Sequence, residues 1–496
     1  MISEDEVCCG SIVSLEEEVN VLQAKGYWWR PGQDRKVSGE VTFSHGEERA
    51  VVRVFGYPDE TKNFDGFLRG CVHPMRHVAI LDGQEYQSQT NTGYGLGTES
   101  AELGFIDMWV GDLGFDGEKD IAFESFSFGI TNLNVWLRRG CFPLTQDGKK
   151  STRLHRLIFE DELVRVYLAF LPVESVMERS SHSRSTRREP CVFIKSKCGL
   201  LPYYGDSRCF EYYEDRLTAF FGLLIGKDAA RYGRCGRADY PLSETVKSSG
   251  VVWRLNRRPL PRKLLTPLKK ESIFVPYDAI ANELPRIVEN YFKLRDEISG
   301  ICGRVVYFRF GQESIPYGGV PELVFMFEGL ARNLYANDFE LKHEQMPGYQ
   351  VHKDNVAKIE AFLQGEPKLM QWLSGYLKFR PDKLQKMFDW ARLQMKESFY
   401  HLDNDGAWMA YTKYLRARRD GFAHSETKLI GHDKMYLSAY FWLESFMMGM
   451  VLSKCGVPPE ILRRGLATCP DFRWGVETYY EEFCPHNKAV DKEVDQ

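Results

Sequence analysis

Short apolar segments with alternating polar positions fill the chain from residue 26 to about residue 172. They are rich in β-branched and aromatic residues, and the clearest are 37–43, 50–55, 77–81 and 121–137. Turn-forming pairs such as Asp82-Gly83 separate them. Runs of this length and alternation predict β-strands. Many short strands in succession predict either a sandwich or an open, curved sheet.

From about residue 276 onward, the apolar positions follow the helical period. One core-facing stripe is formed by Leu384, Phe388, Ala391, Met395 and Phe399. Further helices are predicted at 322–335, 408–418 and 435–454. Because the last of these is apolar almost all round, we expect it at the centre of a helical bundle. An earlier apolar helix, within the β-like region, is predicted at 216–226 and ends at Gly226.

The change of period predicts an α+β fold, in which a β-rich N-terminal domain precedes an all-α helical bundle. At 496 residues the chain is too long for one ordinary core. We divide it into a β-rich domain (1–255), a basic and helical connector (256–315), a helical bundle (316–480) and a polar tail (481–496).

The net charge of −4 excludes a generally basic nucleic-acid coat, so any contact with nucleic acid must use local patches. The densest basic stretch includes Arg257, Arg258 and Lys263, which are candidates for contacts with a phosphate backbone. A solvated linker is the competing interpretation of this stretch.

The acidic start of the chain lacks a secretory signal, and no apolar run reaches bilayer length. We therefore expect a cytoplasmic protein without a membrane partner. The twelve cysteines are scattered and lack the ligand spacing of a zinc knuckle. No metal or cofactor is expected.

The candidate chemistry lies in the hexapeptide Arg419-Asp420-Gly421-Phe422-Ala423-His424, between two predicted helices. Arginine stays charged and presents a fork that matches phosphate oxygens, while histidine exchanges a proton near neutral pH. Metal-free RNA cleavage needs these two groups. The spacing alone is expected by chance about as often as it is found. The alternative is a solvated Arg419 near a helix end, with Gly421 as the helix stop and His424 on the surface.

The position of the hexapeptide in the predicted bundle resembles the HEPN superfamily of ribonucleases. In that superfamily an arginine, a polar residue, a short gap and a histidine occupy this place. The resemblance implies that Arg419, His424 and Asp420 are catalytic, with Asp420 as the polar residue. Many members have asparagine there, and Asp420 adds a negative charge where the substrate is anionic. It could instead orient His424.

The N-terminal half is similar to the N-terminal domain of ApeA-type phage-defence proteins. The similarity rests on 26–31, on 39–43, and on 123–136 with its closing Trp136. In that family the domain precedes a HEPN domain of this kind. The resemblance implies RNA cleavage in response to infection, with tRNA as the expected substrate and a phage-derived trigger.

In the implied reaction, the ribose 2′-hydroxyl attacks the adjacent phosphorus. His424 moves the proton and Arg419 stabilises the charge. One histidine does not serve comfortably as both base and acid, so the resemblance implies a homodimer in which two hexapeptides face one cleft. Arg416 and Arg418 are further candidates for RNA binding.

Three residues outside the hexapeptide are candidates to support it. Glu328 and Arg332 lie one helical turn apart, either as an ordinary surface pair or as neighbours of the site. Glu444 lies in the apolar helix and must find a partner, for which Arg419 or His424 is a candidate.

The main alternative is a non-catalytic HEPN dimerisation or binding protein whose β domain senses a ligand or phage component. A carbohydrate-active enzyme ranks last, because no spacing in the β region singles out a carboxylate pair. Paired aromatic residues at the start of a β domain are usually core, so we predict that Tyr27, Trp28 and Trp29 are buried. A base-stacking role is their less favoured interpretation.

Overall fold

The structure is a computed structural model that forms two compact units. The β unit comprises Met1–Lys270 with Pro276–Glu289, and the helical unit comprises Glu271–Val275 with Asn290–Gln496. The residues that the structure describes are 22–43, 51–55, 65–72, 76–91, 98–104, 107–115, 117–137, 155–172, 188–205, 208–226, 229–241, 247–256, 268–269, 272–297, 319–340, 349–363, 365–373, 377, 383–399, 404–423, 434–468, 473–474 and 478.

The β unit is built on one large antiparallel sheet. Its strands are β1 (Leu22–Trp29), β2 (Val37–Phe43), β3 (Val51–Phe55), β4 (Asp65–Val72), β5 (Arg76–Asn91), β6 (Thr98–Gly104), β7 (Asp107–Gly111), β8 (Ala122–Phe123), β9 (Ser125–Ile130), β10 (His155–Glu160), β11 (Val164–Pro172), β12 (Arg188–Ser196), β13 (Leu201–Pro202), β14 (Arg231–Pro241) and β15 (Lys247–Asn256). Thirteen of them follow the order β10-β11-β12-β9-β14-β15-β7-β5-β4-β1-β2-β3-β6, and β13 pairs with β8.

One end of the sheet closes into a ring of six strands. β5 is 16 residues long; its first part pairs with β4 and its second part pairs with β6. Because β6 also pairs with β3, strands β1 to β6 form a closed circuit. The predicted turn at Asp82-Gly83 is wrong, because both residues lie within β5. Gly83 pairs with Gly66 beside a register shift, so the turn-forming pair lies at a bulge.

The side chains of β1 alternate between the interior and the outer face of the ring. Trp28 is completely buried, whereas Tyr27 is 60% exposed and Trp29 is half-buried. A strand directs successive side chains to opposite faces, so three consecutive aromatic residues cannot share one core. The prediction of buried aromatics is confirmed for Trp28 and wrong for Tyr27.

The predicted strand at 121–137 is interrupted by Asn132. This residue has a φ of 65°, in the left-handed region that asparagine tolerates better than most residues. Its carbonyl accepts a hydrogen bond from the Trp136 N–H at 3.0 Å, which opens the helix α1 (Leu133–Leu137). The last third of the predicted strand is therefore helical.

A second helix, α2 (Phe210–Ile225), lies against β9 in the β unit. Its end at Gly226 is confirmed, since Gly226 has a φ of 77° and donates its N–H to the Gly222 carbonyl at 2.9 Å. Helix α3 (Tyr277–Ile280) also belongs to this unit.

Glu214 of α2 is fully buried in a cluster of arginines. Arg231, Arg234 and Arg254 approach its carboxylate at 3.6, 3.9 and 3.9 Å. Tyr203 donates its hydroxyl to Glu214 and accepts a hydrogen bond from Arg254. Burial, reinforced by the Glu214 charge, raises the pKa of Tyr203 well above its usual value. These ionic contacts link α2 to β14 and β15.

The C-terminal region is mostly helical, which confirms the predicted fold class. Its helices are α4 (Leu284–Glu297), α5 (Gly319–Glu340), α6 (Tyr349–Phe362), α7 (Pro367–Leu373), α8 (Lys383–Met395), α9 (Asp405–Ala423), α10 (Lys434–Lys454) and α11 (Pro459–Thr468).

Aromatic side chains from four helices fill the core of the helical unit. Phe327 of α5 stacks on Phe388 of α8 at 4.2 Å between ring centroids, and Trp442 of α10 stacks on Phe446 at 4.9 Å. Trp408 of α9 contacts this cluster at 5.8 Å from Trp442. By length and composition, Met435–Lys454 could cross a membrane, but 83% of that window is buried inside the protein, as expected for a bundle's core helix.

Helix α9 extends beyond its predicted limits. Asn404 caps its start by accepting a hydrogen bond from the Ala407 N–H at 3.0 Å. The helix continues through Ala423, so the interpretation of Gly421 as a helix stop is wrong. Gly421 is buried within the last turn. Five residues of the hexapeptide are therefore helical.

Candidate active site

Arg419 lies near the C-terminal end of α9, where this helix packs against α5. Its Nη2 lies 3.1 Å from the Glu328 carboxylate oxygen Oε2, and its side chain retains 29% exposure. Glu328 is only 14% exposed and also accepts a hydrogen bond from Arg332, one turn further along α5. The structure thus brings together three of the residues singled out in the sequence. A carboxylate shielded from water holds the guanidinium more firmly than a solvated one would.

Asp420 forms the second contact to the same guanidinium. Arg419 Nη1 lies 3.0 Å from the Asp420 oxygen Oδ1, and Asp420 is 57% exposed. This cluster carries no net charge, because Arg419 and Arg332 offset Glu328 and Asp420. An anionic ligand would therefore displace the exposed Asp420 more readily than the sheltered Glu328.

One exposed phenylalanine lies against the guanidinium, and a second follows Arg419 on the same helix. The Arg419 Cζ lies 5.1 Å from the centroid of the Phe325 ring, which stacks against the cation. Phe325 is 43% exposed, and Phe422, one helical turn after Arg419, is 37% exposed. Sequence analysis missed Phe325, although its spacing of three residues from Glu328 on one helix was a usable signal.

Arg418 points away from this surface. It is 9% exposed, and its guanidinium lies over the rings of Tyr414 and Tyr436 at 4.9 and 5.6 Å. Burial raises the pKa of Tyr436, whose hydroxyl accepts the Val320 N–H at 2.9 Å. We therefore leave Arg418 out of the proposed RNA surface, whereas the half-buried Arg416 stays a candidate.

The structure describes some of the remaining predicted site residues and not others. His424 directly follows the last residue of α9, but it lies outside the described residues, as do Arg257, Arg258 and Lys263. Glu444 is buried in α10 at 4% exposure. The carboxylates that Arg419 contacts within the described ranges are Glu328 and Asp420. Over the same ranges, no group of three or more His, Cys, Asp or Glu is arranged to hold a metal ion.

The N-terminal region matches a known family. Residues 23–168 match the family model of the ApeA N-terminal domain 1. This stretch runs from β1 into β11 and contains all the segments on which the resemblance to ApeA rests. The match supports an ApeA-type defence protein and suggests a role in antiphage defence. No curated protein and no solved structure matches the chain.

Proposed function

We propose that the protein is a metal-independent endoribonuclease of the HEPN type, acting in the cytoplasm in abortive-infection defence. The observation that carries this proposal is the partly exposed Arg419 guanidinium, fixed by the sheltered Glu328 at the end of a bundle helix. His424 is the next residue after that helix, so the cation and a titratable imidazole lie on one short stretch of chain. The ApeA N-terminal domain supplies the link to defence.

Arg419 and His424 divide the chemistry of this reaction. The ribose 2′-oxygen attacks the adjacent phosphorus while His424 removes its proton. Arg419 stabilises the charge that develops on the phosphoryl oxygens. The bond from phosphorus to the 5′-oxygen breaks, and that oxygen takes a proton from a second copy's His424 in a homodimer. The products end in a 2′,3′-cyclic phosphate and a 5′-hydroxyl.

The substrate expected for this reaction is unpaired RNA. In-line attack requires a ribose and phosphate that can leave the A-form geometry, which loops permit and duplexes resist. A tRNA anticodon loop meets this requirement, and a phage component is the proposed trigger. We expect Arg416, one turn before Arg419 in α9, to contact a neighbouring phosphate.

A single deoxyribose at the scissile nucleotide is expected to abolish cleavage, because the nucleophile is then missing. The measurement is gel analysis of a loop RNA with that one substitution, together with end-group analysis of the products. Persistent cleavage would exclude the 2′-hydroxyl mechanism. Activity that disappears with EDTA and returns with a divalent cation would assign the reaction to a metal nuclease.

Glu328→Ala is expected to lower kcat by about 10²-fold, because Arg419 loses its sheltered partner and its fixed geometry. KM and the pH of half-maximal activity should change little, since Glu328 acts through Arg419 and not on the proton. Glu328→Gln keeps a hydrogen-bond acceptor and should recover part of the loss. Arg332→Ala is the matched control, because it removes the exposed partner of the same carboxylate. Equal losses in Glu328→Ala and Arg332→Ala would contradict a positioning role.

A second candidate is a non-catalytic dimerisation or binding protein. The observation that favours it is the pair of carboxylates on Arg419, since Glu328 and Asp420 oppose an incoming phosphate. Asp420→Asn separates the two proposals. A nuclease should keep or gain activity when this competing charge is removed, whereas a binding protein should cleave no RNA in either form.

A further inference from the structure

The ring β1 to β6 presents aromatic side chains on its outer face as well as inside. Tyr27 of β1 pairs with Ser38 of β2, and Ser38 pairs with Phe55 of β3, so the three residues form one row across adjacent strands. Tyr27 is 60% exposed and Phe55 is 51% exposed, while Ser38 between them is small and exposed. We call this row the aromatic platform. Its two rings stand on strands separated by about 10 Å.

The core of the ring does not require these two rings. Trp28, Val41 and Val54, on the opposite faces of the same strands, fill the interior and are completely buried. Two large aromatic side chains with more than half of their surface in water gain little from burial. Their place in one row of the sheet therefore suggests a ligand-binding role.

Two cations are held beside the platform by a third aromatic residue. Trp29 lies two residues from Tyr27 on the same face, at about 7 Å along the strand. The Lys36 ammonium lies 4.7 Å from the centroid of the Trp29 ring, and the Arg69 guanidinium lies 5.4 Å from it. Contact with the ring orders these side chains before any ligand arrives.

The charges around the platform favour an anionic ligand. Lys25 lies on the opposite side from Lys36, two residues before Tyr27, and is exposed. Glu40, its partner in register, is paired with Arg53 at 3.7 Å. A further carboxylate, Asp34, lies in the turn before Lys36, and the next residue in that turn is the cation Arg35. Among these described side chains, the cations outnumber the carboxylates.

We propose that the aromatic platform binds single-stranded nucleic acid, with unstacked bases on Tyr27 and Phe55 and the backbone phosphates on Lys36 and Arg69. Exposed aromatic residues on a sheet face, next to cations, provide the stacking and charge neutralisation that single strands require. A duplex cannot use the platform, because its bases are already stacked and paired. The site lies in the β unit and is independent of RNA cleavage at Arg419.

The test uses labelled oligonucleotides of about ten nucleotides and measures their binding by fluorescence anisotropy. The protein is the full chain carrying Arg419→Ala, so that RNA probes are not cleaved. The probes are oligo-dT, oligo-rU and an abasic oligomer of the same length. Tyr27→Ala and Phe55→Ala should each weaken binding at least about fivefold, while Tyr27→Phe keeps the stacking surface and should bind as the parent does. Lys36→Ala should reduce the slope of log Kd against log salt concentration by about the amount expected for one phosphate contact. Leu200→Ala is the control, because Leu200 is 55% exposed elsewhere in the same unit.

Comparison of the three probes identifies the ligand. Base stacking is supported if the abasic oligomer binds more weakly than the other two probes and if Tyr27→Ala does not weaken the binding of the abasic oligomer further. Binding of oligo-rU alone identifies RNA, and equal binding of oligo-dT shows that the ribose is not read. Parent-like binding by the Tyr27→Ala, Phe55→Ala double variant, folded with an unchanged Tm, would overturn the proposal. If light scattering instead shows that the double variant dissociates to a lower molar mass than the parent, while its oligonucleotide affinity is unchanged, the platform is an interface between two copies of the chain.

Discussion

Arg419→Ala is expected to reduce RNA cleavage by about 10²- to 10³-fold, the cost of removing one donor that stabilises charge in a transition state. Because Arg419 interacts with Glu328 and Asp420 at the surface of α9, its removal should leave the bundle folded, and Arg332 remains to pair with Glu328. The measurement is the single-turnover rate on a loop RNA, with the Tm of each variant as a check on folding.

Two further variants test whether the loss is specific to the guanidinium of Arg419: Arg419→Lys and Lys413→Ala. Lysine keeps the charge but not the planar fork that binds two phosphoryl oxygens, so Arg419→Lys should recover only a small part of the rate. Lys413 is exposed on the same helix and faces another direction from Arg419, so Lys413→Ala should cleave as the parent does. Loss of activity in Lys413→Ala would point to a general loss of cationic surface.

Mixed dimers test whether the site is shared between two copies. The His424→Ala homodimer lacks both histidines of the cleft and should not cleave RNA measurably. If one cleft uses the His424 of both copies, an equal mixture of this variant with the parent should keep about a quarter of the parent's activity, because only the parent homodimer retains both histidines. About half of the activity, from chains shown to exchange subunits, would mean that each copy acts alone and would contradict the proposed homodimeric site.

Local periodicity predicted the individual elements well where one face of the element is buried. The segment 37–43 is β2 within the same limits, and the predicted helix at 435–454 differs from α10 by one residue. In both, the apolar pattern and the burial coincide. Single residues misled the prediction where tertiary packing decides the conformation: Gly421 lies buried inside α9, although glycine usually favours a helix end.

The contacts that define the candidate site were only partly predictable. The one-turn spacing of Glu328 and Arg332 indicated a pair, but the contact between Glu328 and Arg419 joins positions 91 residues apart. Such a contact depends on how α5 and α9 pack, which periodicity does not fix. The closure of the ring through β5 is a similar case, because a long strand that serves two partners has no local signature.

Glu214→Ala is expected to destabilise the β unit by about 3–5 kcal/mol, the typical cost of removing one partner of a buried ion pair. Arg234 and Arg254 are 3% and 5% exposed, so they would be left in the interior without the carboxylate that they surround. Tyr203 would also lose the acceptor of its hydroxyl proton. Glu214→Gln keeps the shape and an acceptor oxygen, and should lose less than the alanine variant.

The measurement is hydrogen exchange of the α2 amides under native conditions, which reports the opening of this unit separately from the helical unit. Asp215→Ala is the matched control, since Asp215 neighbours Glu214 on α2 and pairs with Arg231 but is 57% exposed. An exposed pair contributes about 0–1 kcal/mol, so protection in that variant should stay close to the parent's. Equal protection in Glu214→Ala and Asp215→Ala would show that the arginine cluster reaches water or rearranges without its central carboxylate. A large difference would identify Glu214 as the residue that holds α2 to β14 and β15.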